Sequence, residues 1–285
     1  FQAEDGIRDR SPSRGLGDVY KRQSQDRSDI SFSVKELTRR MASPTEDDMI
    51  ALKRFVKYLI GKPRLVNVFP HQREPTHLQC WVDADWAGCV RTRRSTSGGG
   101  IKLGNHTIKT WTGTQASIAL SSGESEYYAL VKGVSQCFGV QSLMRDFGRE
   151  IGIQVFTDST AAQGIAQRVG LGKTRHVAVH LLWIQQHLRN HRFELFKVAG
   201  TKNPADVFTK YVSKDWNQEC IRSWGCEFRT GRSQAAPKAF THEFKDLLYH
   251  TLAPSRICFI TITLAMHHFP HASFHFHTDV TSFFA

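Results

Sequence analysis

The period of the apolar positions changes several times between Leu78 and Lys210, and each change predicts an element. LQCWVDA alternates as a half-buried strand does, with Trp81, Asp83 and Asp85 on one face and Cys80, Val82 and Ala84 on the other. GGGIKLG and HTIKTWT follow as two more strands, Ser121 to Phe147 as a long helix, and IQVFTD as a short apolar run ending in an acid. Ser159 to Arg168 is a shorter helix, His176 to Asn190 another, and FELFKVAG a fifth strand before a closing helix. This order predicts an α/β domain over residues 71–212, and no internal repeat interrupts it.

Residues 24–70 read as a separate helical segment. Ile30, Val34, Leu37 and Met41 recur three or four apart, and Ser43-x-x-Glu46 has the form of a capping box, with Pro44 at the first helical position. The second helix is expected to end near Gly61 and Pro63. From 213 to 285 no period is sustained, and seven of the 14 histidines fall between His242 and His277 at irregular spacings. That segment is expected to be an irregular tail, disordered or read through. The opening FQAEDGIRDRSPSRGLGDVYKRQ looks like translated sequencing adapter, so Phe1 to Gln23 is set aside as a disordered artefact.

Composition adds a direction to this outline. The net charge of +12 favours polyanionic partners such as nucleic acid. The six cysteines contain no C-x-x-C pair, which argues against a zinc module or a disulfide framework and for free thiols in the cytosol. No run reaches the roughly 18 apolar residues of a membrane span, and no signal peptide is recognisable; a protein without membrane partners is expected.

Four acids carry the candidate chemistry: Asp83 in WVDADWAG, Glu126 in SSGESEYYAL, Asp158 in VFTDSTAA and Asp206 in NPADVFTK. Each lies near a strand end or a helix start. Converging carboxylates repel unless cations neutralise them, and magnesium takes oxygen ligands of this kind. Each position has a plainer reading as well. Asp83 and Asp85 are alternatives for one role, and strand-end aspartates commonly solvate a turn. Glu124 and Glu126 lie about 200° apart on a helix, so only one faces the sheet. Glu126 shares its stripe with Leu130, Gly133 and Cys137, whereas Glu124 completes a box with Ser121. Asp158 serves equally as a helix cap, and Asp206 is favoured by a helix dipole.

These residues resemble the ribonuclease H domain of copia-type long-terminal-repeat retrotransposons. The likeness runs in family order through VDADWAG, RRSTSGG, the TW and Gln115 segment, ALSSGESEYYAL, FTDSTAA, KTRHV and PADVFTK, and the preceding helices resemble the end of the family's reverse transcriptase. The resemblance implies a ribonuclease H-like mixed five-stranded sheet flanked by helices. It assigns catalysis and metal ligation to Asp83, Glu126, Asp158 and Asp206, with Asp85 and Glu124 supporting. The implied cofactor is a pair of Mg2+ ions, with Mn2+ as a substitute. The implied substrate is an RNA–DNA hybrid whose RNA strand is hydrolysed, and the 2′-hydroxyl separates the two strands.

Candidate nucleic-acid contacts are Arg93, Arg94, Gln115, Lys173, Arg175 and His176, with Arg91 beside them. The glycines Gly98 to Gly100 read as a flexible turn and not as a phosphate cradle, since no helix follows. Two departures stand out: Thr112, Gly113 and Thr114 where the family often carries lysines, and Ala178 and Leu181 where it has acidic or aromatic residues. The polymerase's own aspartates have no counterpart, so no DNA synthesis is expected. The reading is a metal-dependent endoribonuclease within a polyprotein in cytoplasmic retrotransposon particles. Its rivals are a catalytically inactive nucleic-acid-binding remnant and a DNA-cutting metal nuclease of the same fold.

Overall fold

The computed structural model describes residues 27–172 and 177–231. The adapter-like stretch 1–23, the residues beyond 231 with their histidines, and Lys173, Arg175 and His176 lie outside the described residues. Among the described residues the chain divides into two units, one holding Glu36–Leu65 and the other Ser28–Lys35 with Val66–Glu227.

In the smaller unit the main element is α2 (Glu46–Gly61), which ends at the expected glycine. Its cap is two residues later than the expected Ser43 box. Thr45 is the N-cap: its hydroxyl accepts from the Asp48 N–H at 3.3 Å, and the Asp48 carboxylate accepts from the Thr45 N–H at 2.9 Å. This register puts Glu46, Asp47 and Asp48 together in the first turn, where the helix dipole favours them. Upstream, a 3₁₀ turn (Ser28–Ile30) runs into α1 (Ser31–Thr38), which stops short of Met41.

The larger unit is built on a mixed five-stranded sheet. Its strands are β2 (His77–Asp85), β3 (Thr96–Leu103), β4 (His106–Thr114), β5 (Gly152–Thr157) and β6 (Glu194–Lys197), in the spatial order β4-β3-β2-β5-β6. β3 is antiparallel to β2 and β4, while β5 runs parallel to both β2 and β6. Separately, β1 (Arg64–Asn67) pairs with β7 (Cys226–Arg229).

One face of the sheet is covered by α3 (Ser122–Asp146). Leu78, Cys80 and Val82 are buried in the same core as Leu130, Val134 and Cys137. Close approach depends on Gly133, where a Cβ would come within 2.5 Å of Val82 Cγ1. Alternation in β2 therefore sends its apolar positions to the helix and Trp81 to the other side. There Trp81 stacks on Phe156 at 4.9 Å, and Phe156 on Phe196 at 5.4 Å.

Trp224 completes the aromatic layer, edge-on to Trp81 at 5.7 Å and only 1% exposed. It follows α6 (Lys214–Ser223), a helix in the segment read as irregular from the sequence. The Ser213 hydroxyl caps that helix by accepting from the Trp216 N–H, and its Cys220 and Ile221 are buried. Residues 213–224 thus differ from the expected irregular tail, because α6 leads Trp224 onto the far face of the sheet.

The Gly98–Gly100 run meets the strand reading of GGGIKLG and departs from the flexible-turn reading. It lies within β3, and its missing side chains make room for that layer: a Cβ on Gly100 would meet the Trp224 ring at 2.5 Å, and one on Gly98 would meet Phe208 Cβ at 2.5 Å. The remaining helices are α4 (Thr160–Gln167) and α5 (Trp183–Arg189). Of the helix expected over 176–190, the described residues form a 3₁₀ turn (Val179–Leu181) and α5, and neither Ala178 nor Leu182 supplies a side-chain cap. The chain then forms a 3₁₀ turn (Pro204–Phe208), where a closing helix was expected.

Candidate active site

Parallel pairing of β2 with β5, with Trp81 opposite Phe156, brings the strand ends that carry Asp83 and Asp158 out on the same side. Glu126 reaches the same place from early in α3. Oxygens of Asp83, Glu126 and Asp158 all lie within 4.8 Å of one another. Asp158 is available because Ser159, not Asp158, caps α4 by accepting from the Ala162 N–H at 3.1 Å.

Asp206 is brought in by the 3₁₀ turn Pro204–Phe208. Asn203 anchors that turn: its Nδ2 donates to the Val82 carbonyl at 2.9 Å, next to Asp83, and its Oδ1 accepts from the Ala205 N–H at 3.2 Å. Asp206 Oδ1 lies 2.8 Å from Lys210 Nζ, and its Oδ2 accepts from the Trp216 indole at 3.3 Å. Lys210 Nζ is also 3.8 Å from Asp83 Oδ2, which takes a short hydrogen bond from the Thr209 hydroxyl.

The alternatives in each acidic pair have different surroundings. Asp85 Oδ1 accepts from the Thr96 N–H at 2.8 Å and so fixes the start of β3. Glu124 is buried; its Oε2 accepts from the Leu120 N–H at 2.6 Å, and its Oε1 from the Tyr128 hydroxyl. Both carboxylates are engaged in the fold around the site.

Burial dominates the electrostatics. Asp83 is 2% exposed, and desolvation pushes its carboxyl up to about 6, although Lys210 and the Thr209 hydroxyl pull the other way. Glu126 is pushed up to about 9 by desolvation and by the charges of Asp83 and Asp158, against a hydrogen bond from the Ala84 backbone. Asp158 is also raised, first by burial and then by Asp206. Burial would lower the Lys210 ammonium, but Asp83, Asp206 and Asp158 outweigh it and the net shift is upward. Such a cluster is short of positive charge.

The donor set fits a hard divalent cation. All the converging ligand atoms are oxygens, and Glu126 Oε2 is buried with no hydrogen-bond partner among the described residues. A buried carboxylate oxygen without a partner is costly unless an ion meets it.

The remaining residues singled out from the sequence are spread more widely. Arg91, Arg93 and Arg94 are exposed in the loop between β2 and β3. Gln115 is buried: its Nε2 donates to Ser97 Oγ and to the Ser125 carbonyl, both at 2.8 Å, which ties β3 to α3. A contact to nucleic acid by its side chain does not follow from that position. Sequence reasoning gave no role to Lys210, Thr209 or Trp216. The spacing of Lys210 four residues after Asp206 was a usable signal for an ion pair; the link to Asp83, 127 positions earlier in the chain, was not.

A mixed sheet of this order, flanked by helices, with acids gathered at one end, defines a ribonuclease H-like fold. No family model matches the chain. The retrovirus-related Pol polyprotein from transposon RE1 of Arabidopsis thaliana is 28% identical over 211 residues, which is 73% of this chain and 14% of that protein. The corresponding polyprotein from transposon TNT 1-94 of Nicotiana tabacum is 25% identical over 210 residues, 73% of this chain and 16% of that protein. The amino-terminal ribonuclease H domain of rv2228c from Mycobacterium tuberculosis, solved as a fusion, aligns with 52% of this chain and 98% of its own at 14% identity and a TM-score of 0.32. Over about 73% of its length the chain is thus similar to retrovirus-related Pol polyproteins of plant transposons, and it spans about a seventh of the length of these curated relatives.

Proposed function

We propose that this chain is the metal-dependent endonuclease segment of a retrotransposon polyprotein, hydrolysing the RNA strand of an RNA–DNA hybrid in cytoplasmic particles. The observation that carries the reading is the convergence of Asp83, Glu126 and Asp158 within 4.8 Å, with a buried Glu126 oxygen left without a partner. Similarity to the Pol polyproteins supports the same class of chemistry.

In this reading Asp83, Glu126 and Asp158 hold divalent cations, with Asp206 completing the set, and Mg2+ is the natural occupant of an all-oxygen site. Bound ions would supply an activated water and a clamp on the attacking and leaving oxygens. The chain's own residues orient those ligands: Asn203 ties the Asp206 turn to β2, Trp216 and Lys210 fix the Asp206 carboxylate, and Thr209 fixes Asp83. Arg93 and Arg94, exposed in the β2–β3 loop, are candidates for phosphate contacts.

The test is cleavage by the full chain of hybrid, duplex DNA and single-stranded RNA, each with Mg2+, with Mn2+ and with chelator. Cleavage confined to the RNA of the hybrid and dependent on metal is expected. Salt-dependent hybrid binding without cleavage would select the inactive remnant, and cleavage of duplex DNA a different nuclease of this fold.

A further inference from the structure

We propose that the Lys210 ammonium is the built-in occupant of a second cation position between Asp83 and Asp206, so that a second divalent ion binds there only by displacing it. This inference rests on the metal-dependent reading above. The first ion then belongs to Asp83, Glu126 and Asp158, whose oxygens already converge, whereas Asp206 is turned to Lys210 and Trp216.

Three features separate this arrangement from an ordinary ion pair. Lys210 Nζ meets carboxylates from two different parts of the fold, Asp206 at 2.8 Å and Asp83 at 3.8 Å, which is where a bridging ion would be attracted. Its root is fixed, because the Lys210 N–H donates to the Asp206 carbonyl at 3.1 Å. Its side chain is nonetheless 47% exposed, while those of Asp83 and Asp206 are 3% and 9% exposed. The carboxylates are held in place and the ammonium, on a four-carbon stem, has open solvent to swing into. A dication carries twice the charge of the ammonium and wins the position at sufficient concentration, but it must first break the existing pair. Stepwise loading follows, with one tight ion and one weaker one.

The test is Mn2+ binding by the full chain, followed by calorimetry and by the electron-spin signal of free Mn2+, in the wild type, Lys210→Met and Lys210→Arg. The wild type is expected to bind two ions with affinities at least tenfold apart. Lys210→Met should tighten the weaker step at least tenfold and the tighter step by less, while Lys210→Arg, which keeps the charge, leaves the weak step weak. A larger Mn2+-induced rise in melting temperature in Lys210→Met than in the wild type is the second readout. An unchanged second affinity in Lys210→Met, or a single ion in both proteins, overturns the proposal while leaving the metal reading intact. No ion bound by any of the three proteins overturns the metal reading itself.

Discussion

The Trp216 indole N–H donates to Asp206 Oδ2 at 3.3 Å, so the helix that follows the site also orients its fourth carboxylate. Partners that orient a ligand in this way commonly carry about 10- to 100-fold in metal affinity or activity. Trp216→Phe keeps the ring and removes the donor. Hybrid cleavage is expected to fall about tenfold with little change in melting temperature, measured by initial rates and by thermal unfolding of the same preparation.

Without metal, the acidic cluster sets the pH dependence of stability. Glu126 titrates near 4.5 as an ordinary glutamate and at about 9 in the folded chain. Between those values the folded state holds a proton that the unfolded state has lost, so stability falls as pH rises. Asp83, raised to about 6 from 3.8, acts in the same direction over its own lower window. In chelator, the melting temperature is therefore expected to drop steadily from about pH 5 to about pH 9. Saturating Mg2+ should flatten that slope, because ligation favours the ionised carboxylates.

Trp224 fills the face of the sheet opposite α3, and its indole donates to the Pro204 carbonyl at 2.9 Å. Truncating a buried aromatic of this size costs about 3–5 kcal/mol. Trp224→Ala is expected to lower the unfolding free energy in denaturant titration by that amount. Since Pro204 opens the turn bearing Asp206, metal affinity should weaken along with stability.

Gln115 and Arg94 separate a packing role from a phosphate contact. Losing the two hydrogen bonds of Gln115 leaves buried partners unsatisfied, so Gln115→Ala should cost about 2 kcal/mol of stability and leave the salt slope of hybrid binding unchanged. Arg94 is exposed, and Arg94→Ala should reduce the salt slope by about 1 with no change in unfolding.

Much of the scaffold was legible because it rests on local patterns. The five strands follow the changes in apolar period. The stripe of Glu126, Leu130, Gly133 and Cys137 marked the sheet-facing side of α3, and Ser121 marked its start. The misreadings share a cause: the deciding partner is distant in sequence. The Gly98–Gly100 run suggests a turn when backbone freedom is considered alone, whereas its use here is the absence of side chains beneath Trp224 and Phe208. α6 looked patternless because polar residues surround a sparse stripe, yet Trp216, Cys220 and Trp224 recur every four positions. Lys210 sits in the same motif as Asp206, but its approach to Asp83 exists only once β2 and the Asp206 turn have met.

The most direct test of the central claim is Mg2+-dependent cleavage of a hybrid by the full chain and by Asp158→Asn. Asp158 caps no helix, so the substitution removes a charged ligand with little cost to the fold. Losing several kcal/mol of metal-assisted stabilisation corresponds to about a thousandfold in rate. The account predicts cut RNA with intact DNA for the wild type and a loss of that order for Asp158→Asn, with no loss of stability in chelator. Equal cleavage by both proteins, or none by a folded wild type in either Mg2+ or Mn2+, would contradict it.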